Sequence, residues 1–221
     1  MTREEVDLAP APGFVATELR AEFPGLQLGW VTVKGGVRSS PQAVAERLGR
    51  LASRYRGTRV VAMRTQPIPH SYRTFFRQIG LDPDVDRIPS ERVAVERLLH
   101  GGFRPQDLVL DALLIAVIET GVPVWALDAD RVDAGGLGIR IAGASERLGT
   151  SELGSYLPEG SLVVADAEVV HALLFGPVAP GHEVTAATER IALFSVGVDG
   201  VPAIHVEEAL WVCAETLTGT G

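Results

Sequence analysis

The stretch LVLDALLIAVIETGVPVWALDAD, residues 108–130, decides the fold. Its first part, Leu108 to Thr120, is apolar around most of a helical circumference, which predicts a central buried helix. Gly121 follows at the position where glycine commonly ends a helix, because it adopts the left-handed conformation at little cost. From Pro123 onward the hydrophobic period changes to two, which predicts strands. The chain therefore changes from helical to extended structure at this point.

Predicted helices dominate the first half of the chain and predicted strands the second half. Before the central helix, spacing and capping residues predict helices from Pro12 to Phe23, from Ser40 (cap, with Pro41 next) to Arg54, from Ser71 to Gly80 and from the cap Ser90 to Gly101-Gly102, and one strand from Leu26 to Val33. After it, strands are predicted at 124–127, 138–142, 162–165, 172–175 and 191–198, and a closing helix from Ala203 to Leu217. This order predicts an α+β fold, with a helical N-terminal half packed on a mostly antiparallel sheet. Without repeats or long linkers, a single domain over residues 1–221 is expected.

Composition limits the classes of protein that fit. The chain has 221 residues, of which 46% are hydrophobic and 22% charged, as in ordinary globular proteins. The lone Cys213 excludes an internal disulfide framework and a cysteine-based zinc site. A net charge of −8 gives no general attraction to nucleic-acid phosphates, so any RNA contact has to be local.

Two features predict a cytoplasmic protein without a membrane span. The N-terminus, Met1 to Glu5, lacks the basic-then-apolar layout of a signal peptide. The longest apolar stretch, Leu108 to Ile118, is interrupted by Asp111 and is too short to cross a bilayer.

The candidate motifs for cofactor and metal binding do not stand in the structural context that such sites require. The glycines of Gly135 to Gly138 precede a predicted strand, whereas a phosphate-binding loop follows a strand and opens a helix. His182 and Glu183 are adjacent, so on a strand they would point to opposite faces and not share a metal ion. We therefore expect no cofactor and no metal.

Arginines cluster beside aromatic residues before the central helix. Arg73 and Arg77 are one turn apart on the predicted helix, with Tyr72 and Phe76 on the neighbouring face, and Arg87 follows in the next loop. One interpretation is that these arginines bind a phosphate, a carboxylate or a tRNA end. The other interpretation is that the aromatic rings belong to the core. The arginines, including Arg92, then pair with the nearby acidic residues Asp82, Asp84, Asp86 and Glu91.

Asp111 is the one charged residue between Leu108 and Ile118. A carboxylate in an apolar helix has to be paired, hydrogen-bonded or protonated. We expect a structural partner for it, either a backbone amide or one of the arginines.

The order of these motifs resembles that of stand-alone B3/B4 domain proteins, relatives of the editing domain of the phenylalanyl-tRNA synthetase β subunit. The resemblance covers about Tyr72 to Val198. Four blocks carry it: Tyr72 to Pro83 with Arg87 to Ser90; Leu108 to Asp111 with Thr120 to Asp130; Pro158 to Gly160 with Val164 to Asp166; and Glu183 to Thr185 with Thr188.

The resemblance implies a pocket that, in the synthetase, hydrolyses tyrosine wrongly attached to the phenylalanine tRNA. The family's threonine, histidine and glutamate correspond here to Leu113, Trp125 and Phe194, and the polar helix residues of the stand-alone branch correspond to Leu114 and Val117. Discrimination of tyrosine needs a buried polar partner and hydrolysis needs a positioned water, which these side chains do not provide. We therefore assign no catalytic residue.

Two hypotheses about function follow. The first is binding of tRNA or aminoacyl-tRNA, with or without hydrolysis in trans, in which Arg73, Arg77 and Arg87 contact the RNA. The second is a non-catalytic module for a small apolar or aromatic ligand or a protein partner, in which Leu113, Trp125, Phe194 and Phe175 line the pocket.

Overall fold

The computed structural model describes residues 9–54, 62–133, 135–150 and 154–219. These residues form two four-stranded sheets surrounded by helices. The helices are α1 (Thr17–Glu22), α2 (Gln42–Arg54), α3 (Pro67–Gln78), α4 (Pro89–His100), α5 (Leu108–Thr120) and α6 (Ala203–Thr218). The strands are β1 (Ala11–Pro12), β2 (Phe14–Val15), β3 (Gln27–Lys34), β4 (Val124–Asp128), β5 (Gly138–Ile141), β6 (Leu162–Ala165), β7 (Val170–Leu173) and β8 (Arg190–Gly197). This architecture confirms the α+β prediction.

The first sheet has the strand order β1-β3-β8-β4 and is antiparallel throughout. Its centre is β8, whose residues are all buried except Arg190. Phe194 on β8 pairs with Trp30 on one side and Trp125 on the other. Helix α6 packs on β3 and β8, and α5 packs on α6 and β4, so this sheet carries the main core.

The second sheet has the order β2-β5-β6-β7, in which β2 is parallel to β5 and the other pairs are antiparallel. It has a smaller apolar cluster of its own that includes Leu148, Leu157 and Val163. Other residues of this sheet, such as Ile139 and Val164, belong to the main core.

Helix α5 has the predicted bounds and the predicted end. Gly121 adopts a left-handed conformation with a φ of 77°, and its amide donates to the carbonyl of Val117. At the other end the side chain of Asp107 accepts hydrogen bonds from the amides of Val109 and Leu110, a cap that the sequence analysis did not assign.

The predicted helix from Pro12 to Phe23 is wrong in its first half. The chain there forms β1 and β2, and α1 begins only at Thr17. The amide of Gly13 donates to Leu28 on β3, and that of Ala16 donates to Ile139 on β5, so this segment connects the two sheets. A Cβ added at Gly13 would lie 2.4 Å from the Leu28 side chain, which explains why glycine occupies the crossing.

Two predicted serine caps and one strand boundary are also corrected. Ser40 donates to the carboxylate of Asp111, and Ser90 is the second residue of α4, which begins at Pro89. The strand predicted at 172–175 is β7, Val170–Leu173, because the chain turns at Leu174 and Phe175 has a φ of 60°. Strand β6 has the predicted bounds, and each of the remaining predicted elements is present with at least one end shifted.

Asp111 is fully buried and has the backbone partner that we expected. Its carboxylate accepts from the Ser40 hydroxyl and from the amide of Gln106, at 3.1 Å. No arginine is among these partners. The carboxylate thereby fastens the segment before α2 to the start of α5.

In the described parts of the chain, no helix combines the length and the apolar character that crossing a membrane requires.

We predict that Asp111→Ala lowers the free energy of unfolding by about 3 kcal/mol, because the Ser40 hydroxyl and the Gln106 amide each lose a hydrogen bond to a buried carboxylate. Urea denaturation measures the change. Leu110→Ala, on the exposed side of the same helix, is the control and should change stability by less than about 1 kcal/mol. Equal effects of the two substitutions would contradict this role of Asp111.

Candidate functional site

An apolar cleft of about 230 Å³ lies between α4, α5, β4 and the turn after β7. Leu113 and Trp125, two of the three residues that the resemblance places in the pocket, line it. Phe194 is 1% exposed and lies behind Trp125, with the two rings stacked at 5.4 Å and 9°. The remaining lining residues are Pro89, Arg92, Val93, Leu114, Val117, Pro123, Val124, Phe175 and Gly176.

Local structure explains how these side chains meet. Leu114 and Val117 follow Leu113 by one and four positions along α5, so the three side chains form one patch of its surface. Trp125 lies on β4, which follows α5 directly and pairs with β8. Phe175 enters from the second sheet, because its left-handed backbone turns the chain immediately after β7.

Among the described residues that line the cleft, Arg92 is the one with an ionisable side chain. It also lines a neighbouring cavity of about 500 Å³, together with Phe175, Gly176 and Asp86, so the two spaces adjoin at Arg92. Its side chain is exposed, and one guanidinium nitrogen lies 3.4 Å from the carbonyl oxygen of Arg87. The sequence analysis named Arg92 only within the arginine cluster, since nothing in the spacing placed it beside Trp125.

The arginine cluster divides between the interior and the surface. Arg73 is 6% exposed, and its guanidinium donates to both carboxylate oxygens of Glu91 at 3.0 Å and to Asp84 at 2.8 Å. The hydrogen bond from Arg73 lowers the pKa of Asp84. Arg73 therefore forms ion pairs with nearby acidic residues, as in the second interpretation of the arginine cluster. Its guanidinium N–H groups face these carboxylates instead of solvent. Arg77 and Arg87 are exposed, and their contact with RNA stays a prediction.

The aromatic residues of the same segment belong to the core. The Tyr72 hydroxyl donates to the carbonyl of Val196 at 2.7 Å, which fastens α3 to β8. The rings of Tyr72, Phe75, Phe76 and Trp125 each lie within 5.8 Å of the Phe175 ring. The cleft wall at Phe175 is thus one side of a rigid aromatic cluster.

A buried polar network, missed by the sequence analysis, lies in the second sheet. Nε2 of His171 is 2.8 Å from the Asp166 carboxylate, and its Nδ1 is 2.8 Å from Nδ1 of His182. Asp166 also accepts from the backbone amides of Asp133, Glu168 and Val169. We considered His182 only for metal spacing, and its partner His171 is eleven residues away on β7.

Burial and hydrogen bonding shift the pKa values in this network. Burial opposes ionisation of Asp166, but its amide donors and His171 together lower its pKa to about 2. Burial lowers the pKa of His182, and the electrostatic influence of neighbouring His171 and Arg131 lowers it further. Neither histidine lines the apolar cleft. Within the described ranges, no three His, Cys, Asp or Glu residues are arranged to hold a metal ion.

Comparison with known proteins places the cleft within a recognised domain. The model of the B3/4 domain family matches residues 71–207, which run from α3 into α6 and include every residue of the cleft. The chain is 37% identical over 100 residues to the phenylalanine–tRNA ligase beta subunit of Gloeobacter violaceus, covering 44% of this chain and 13% of that protein. It is 34% identical over 106 residues to the same subunit of Cutibacterium acnes, covering 48% and 12%. The matched segment is thus about an eighth of the length of these relatives.

We predict that the free energy of unfolding falls as the pH drops below about 6.5, the ordinary pKa of histidine, because the unfolded chain then binds a proton that buried His182 resists. A second loss, from Asp166, should begin near pH 3.8 and continue towards pH 2. Urea denaturation at a series of pH values measures both.

His182→Gln should reduce the change in the free energy of unfolding as the pH drops below about 6.5, whatever its effect on stability at pH 8. The control is His205→Gln, at a histidine whose side chain is 39% exposed. If both variants keep the slope of the unsubstituted protein, His182 does not cause it.

Proposed function

Because the chain belongs to the B3/4 domain family, we propose that its cleft binds an apolar or aromatic group without cleaving a bond. One observation carries this proposal: the described residues that line the cleft are mostly aliphatic and aromatic, and Arg92 is the one ionisable residue among them. Small-molecule sites commonly combine such apolar walls with a few polar groups.

The chemistry of the lining argues against hydrolysis. A general base has to exchange a proton near neutral pH, and the guanidinium of an arginine stays protonated there. Leu113 and Trp125 stand at positions where the family resemblance implies a threonine and a histidine. Phe194, at the implied glutamate position, is covered by the ring of Trp125. Of the described residues that line the cleft, none has a side chain that can accept a proton from a water molecule.

Arg92 favours a ligand with a negative group next to its apolar part. The guanidinium lies at the junction of the cleft with the larger cavity, and a carboxylate there would receive charge-assisted hydrogen bonds. The apolar part would contact Leu113 and Trp125.

Aminoacyl-tRNA is the second candidate ligand. The relatives matched are named as beta subunits of phenylalanine–tRNA ligase, which motivates this candidate. The amino-acid side chain would occupy the cleft, and the exposed Arg77 and Arg87 would contact the RNA. Arg87 supports this arrangement, because its carbonyl lies beside the Arg92 guanidinium at the edge of the cleft. We also propose that residues 1–221 act as one domain.

We predict that 3-phenylpropionate, an aromatic carboxylate, binds the full chain and raises its Tm in a thermal-shift assay. Arg92→Ala should weaken this binding about tenfold by calorimetry, because a charge-assisted hydrogen bond is lost. Leu113→Ala should weaken it by a similar factor through lost apolar contact.

Leu110→Ala is the matched control for Leu113→Ala, since both leucines lie on α5 but Leu110 is outside the cleft. Full affinity in both Arg92→Ala and Leu113→Ala would place the ligand elsewhere. A panel of aromatic and aliphatic carboxylates that leaves the Tm unchanged would contradict the proposed site.

We predict that tRNA charged with tyrosine keeps its amino acid during incubation with a stoichiometric amount of the protein, because the described lining residues of the cleft include no group to activate water. Acid-gel analysis of the charged tRNA measures this outcome, and release of tyrosine above the spontaneous rate would contradict it. If the tRNA binds, Arg77→Ala with Arg87→Ala should weaken binding several-fold and reduce its salt dependence. Arg50→Ala, at an exposed arginine on α2, is the control.

A further inference from the structure

A groove of about 540 Å³ lies between the segment before β1 and the first half of α6. We call it the α6 groove. Its described lining residues are Ala9, Pro10, Ile204, Glu207, Glu208 and Trp211. None of them lines the apolar cleft, so the α6 groove is a separate surface of the molecule.

The helix contributes an exposed apolar stripe to this groove. Ile204 is 63% exposed and Trp211 is 51% exposed. Glu207, Glu208 and Trp211 follow Ile204 by three, four and seven positions, so the four side chains form one stripe of the helix surface. The opposite face of α6, which includes Leu210, belongs to the main core. Tryptophan commonly anchors protein–protein contacts, and a tryptophan this exposed fits such a role.

The charge of the α6 groove is negative. Glu207 and Glu208 are exposed, and its described lining residues include no lysine or arginine. Glu208 also contacts His205, whose Nδ1 lies 3.1 Å from a carboxylate oxygen of Glu208. An arginine or lysine of a partner can pair with these carboxylates and lie over the Trp211 ring, whose face attracts cations. Phosphate groups of RNA or of an anionic lipid surface would be repelled, so the charge of the groove complements a cationic partner.

The segment before β1 disfavours the addition of a partner strand. Pro10 precedes β1, an edge strand of the first sheet that itself contains Pro12. Proline has no amide hydrogen to offer to a further strand, and it commonly protects the edges of sheets. A partner therefore has to bind through side chains, as an amphipathic helix does when its apolar face packs into a groove.

A second copy of this chain does not complement the α6 groove. In a twofold dimer the same surface patch meets itself, so Glu207 and Glu208 would face carboxylates of the same kind. The net charge of −8 adds a general repulsion between copies.

We propose that the α6 groove binds a basic amphipathic segment of another protein. Apolar side chains of that segment pack on Ile204 and Trp211, and its arginine or lysine side chains pair with Glu207 and Glu208. This interaction goes beyond the function of the cleft and does not depend on it.

Calorimetry with the full chain and the synthetic peptide acetyl-KLLRRLLKR-amide tests this proposal. The peptide should bind, and its binding should weaken as the salt concentration rises from about 0.05 M to about 0.5 M, because salt screens exposed charges. A peptide with glutamate at every basic position and one with serine at every leucine should each bind at least about tenfold more weakly. Absence of binding by the basic peptide, or equal binding of all three peptides, would overturn the proposal.

Substitution of the exposed apolar residues locates the bound peptide. Trp211→Ala should weaken its binding at least about tenfold, because the anchor of the contact is lost. Ile204→Ala should weaken binding in the same direction, and it provides a second variant if Trp211→Ala fails to fold. Leu99→Ala is the control, at a leucine of α4 that is 75% exposed and lies outside the groove. Unchanged affinity in both groove variants would overturn the site.

A matched pair of double substitutions separates local pairing from the net charge. Glu207→Gln with Glu208→Gln should weaken peptide binding about tenfold. Glu18→Gln with Glu22→Gln removes the same amount of charge from exposed positions of α1 and should have a much smaller effect. Equal effects of the two double substitutions would show that the peptide follows the net charge, and would overturn the pairing with Glu207 and Glu208.

The oligomeric state tests the alternative occupant. Sedimentation velocity should give the same molecular mass for the unsubstituted chain and for Trp211→Ala. An oligomer that Trp211→Ala dissociates would assign the α6 groove to a second copy of this chain and overturn the basic partner.

Discussion

The ring of Phe175 connects helix α3 and strand β4 to the turn after β7 through aromatic contacts. It contacts Tyr72, Phe75 and Phe76 on α3 and Trp125 on β4, although it lies in the turn after β7, a strand of the other sheet. Its backbone has a φ of 60°, a conformation that costs a non-glycine residue about 1–2 kcal/mol. Burial of a phenylalanine among four aromatic rings offsets that cost, since each such ring pair adds about 1 kcal/mol. This turn also brings Phe175 and Gly176 into the lining of the cleft, beside the α5 residues Leu113, Leu114 and Val117.

The elements that sequence reasoning located well are those whose periodicity reflects their own burial. Helix α5 is apolar nearly all round because α6, α2 and β4 surround it, so its bounds were predictable from residues 108–121. The segment around Gly13 was misassigned, because two sheets that are distant in sequence determine its conformation. Ser90 was misassigned as a cap for a related reason. Serine favours the cap position, but Pro89 is the first residue of α4, so the cap position falls on Ile88, two residues earlier.

The candidate site was predictable to the extent that one helix and one strand define it. Leu113 and Trp125 came from adjacent elements, and both line the cleft. Arg92 and Gly176 were not predictable as lining residues, since they reach the cleft from α4 and from the turn after β7. The burial of Arg73 was an open alternative, because the sequence contains its acidic partners but not the direction of its side chain.

The apolar side chains at the positions where the resemblance implies polar groups have a structural role as well as a chemical one. A hydrolytic pocket has to present polar groups to an open space, and preorganised polar groups of this kind commonly lower stability. Trp125 instead stacks on Phe194 and packs edge-on against Phe175, so it joins the first sheet to the aromatic cluster. The side chains at the implied catalytic positions therefore contribute to the packing of the core. Substitution of Trp125 by histidine would remove the indole contacts with Phe194 and Phe175 together. It would therefore weaken the packing of the cleft wall beside the introduced imidazole.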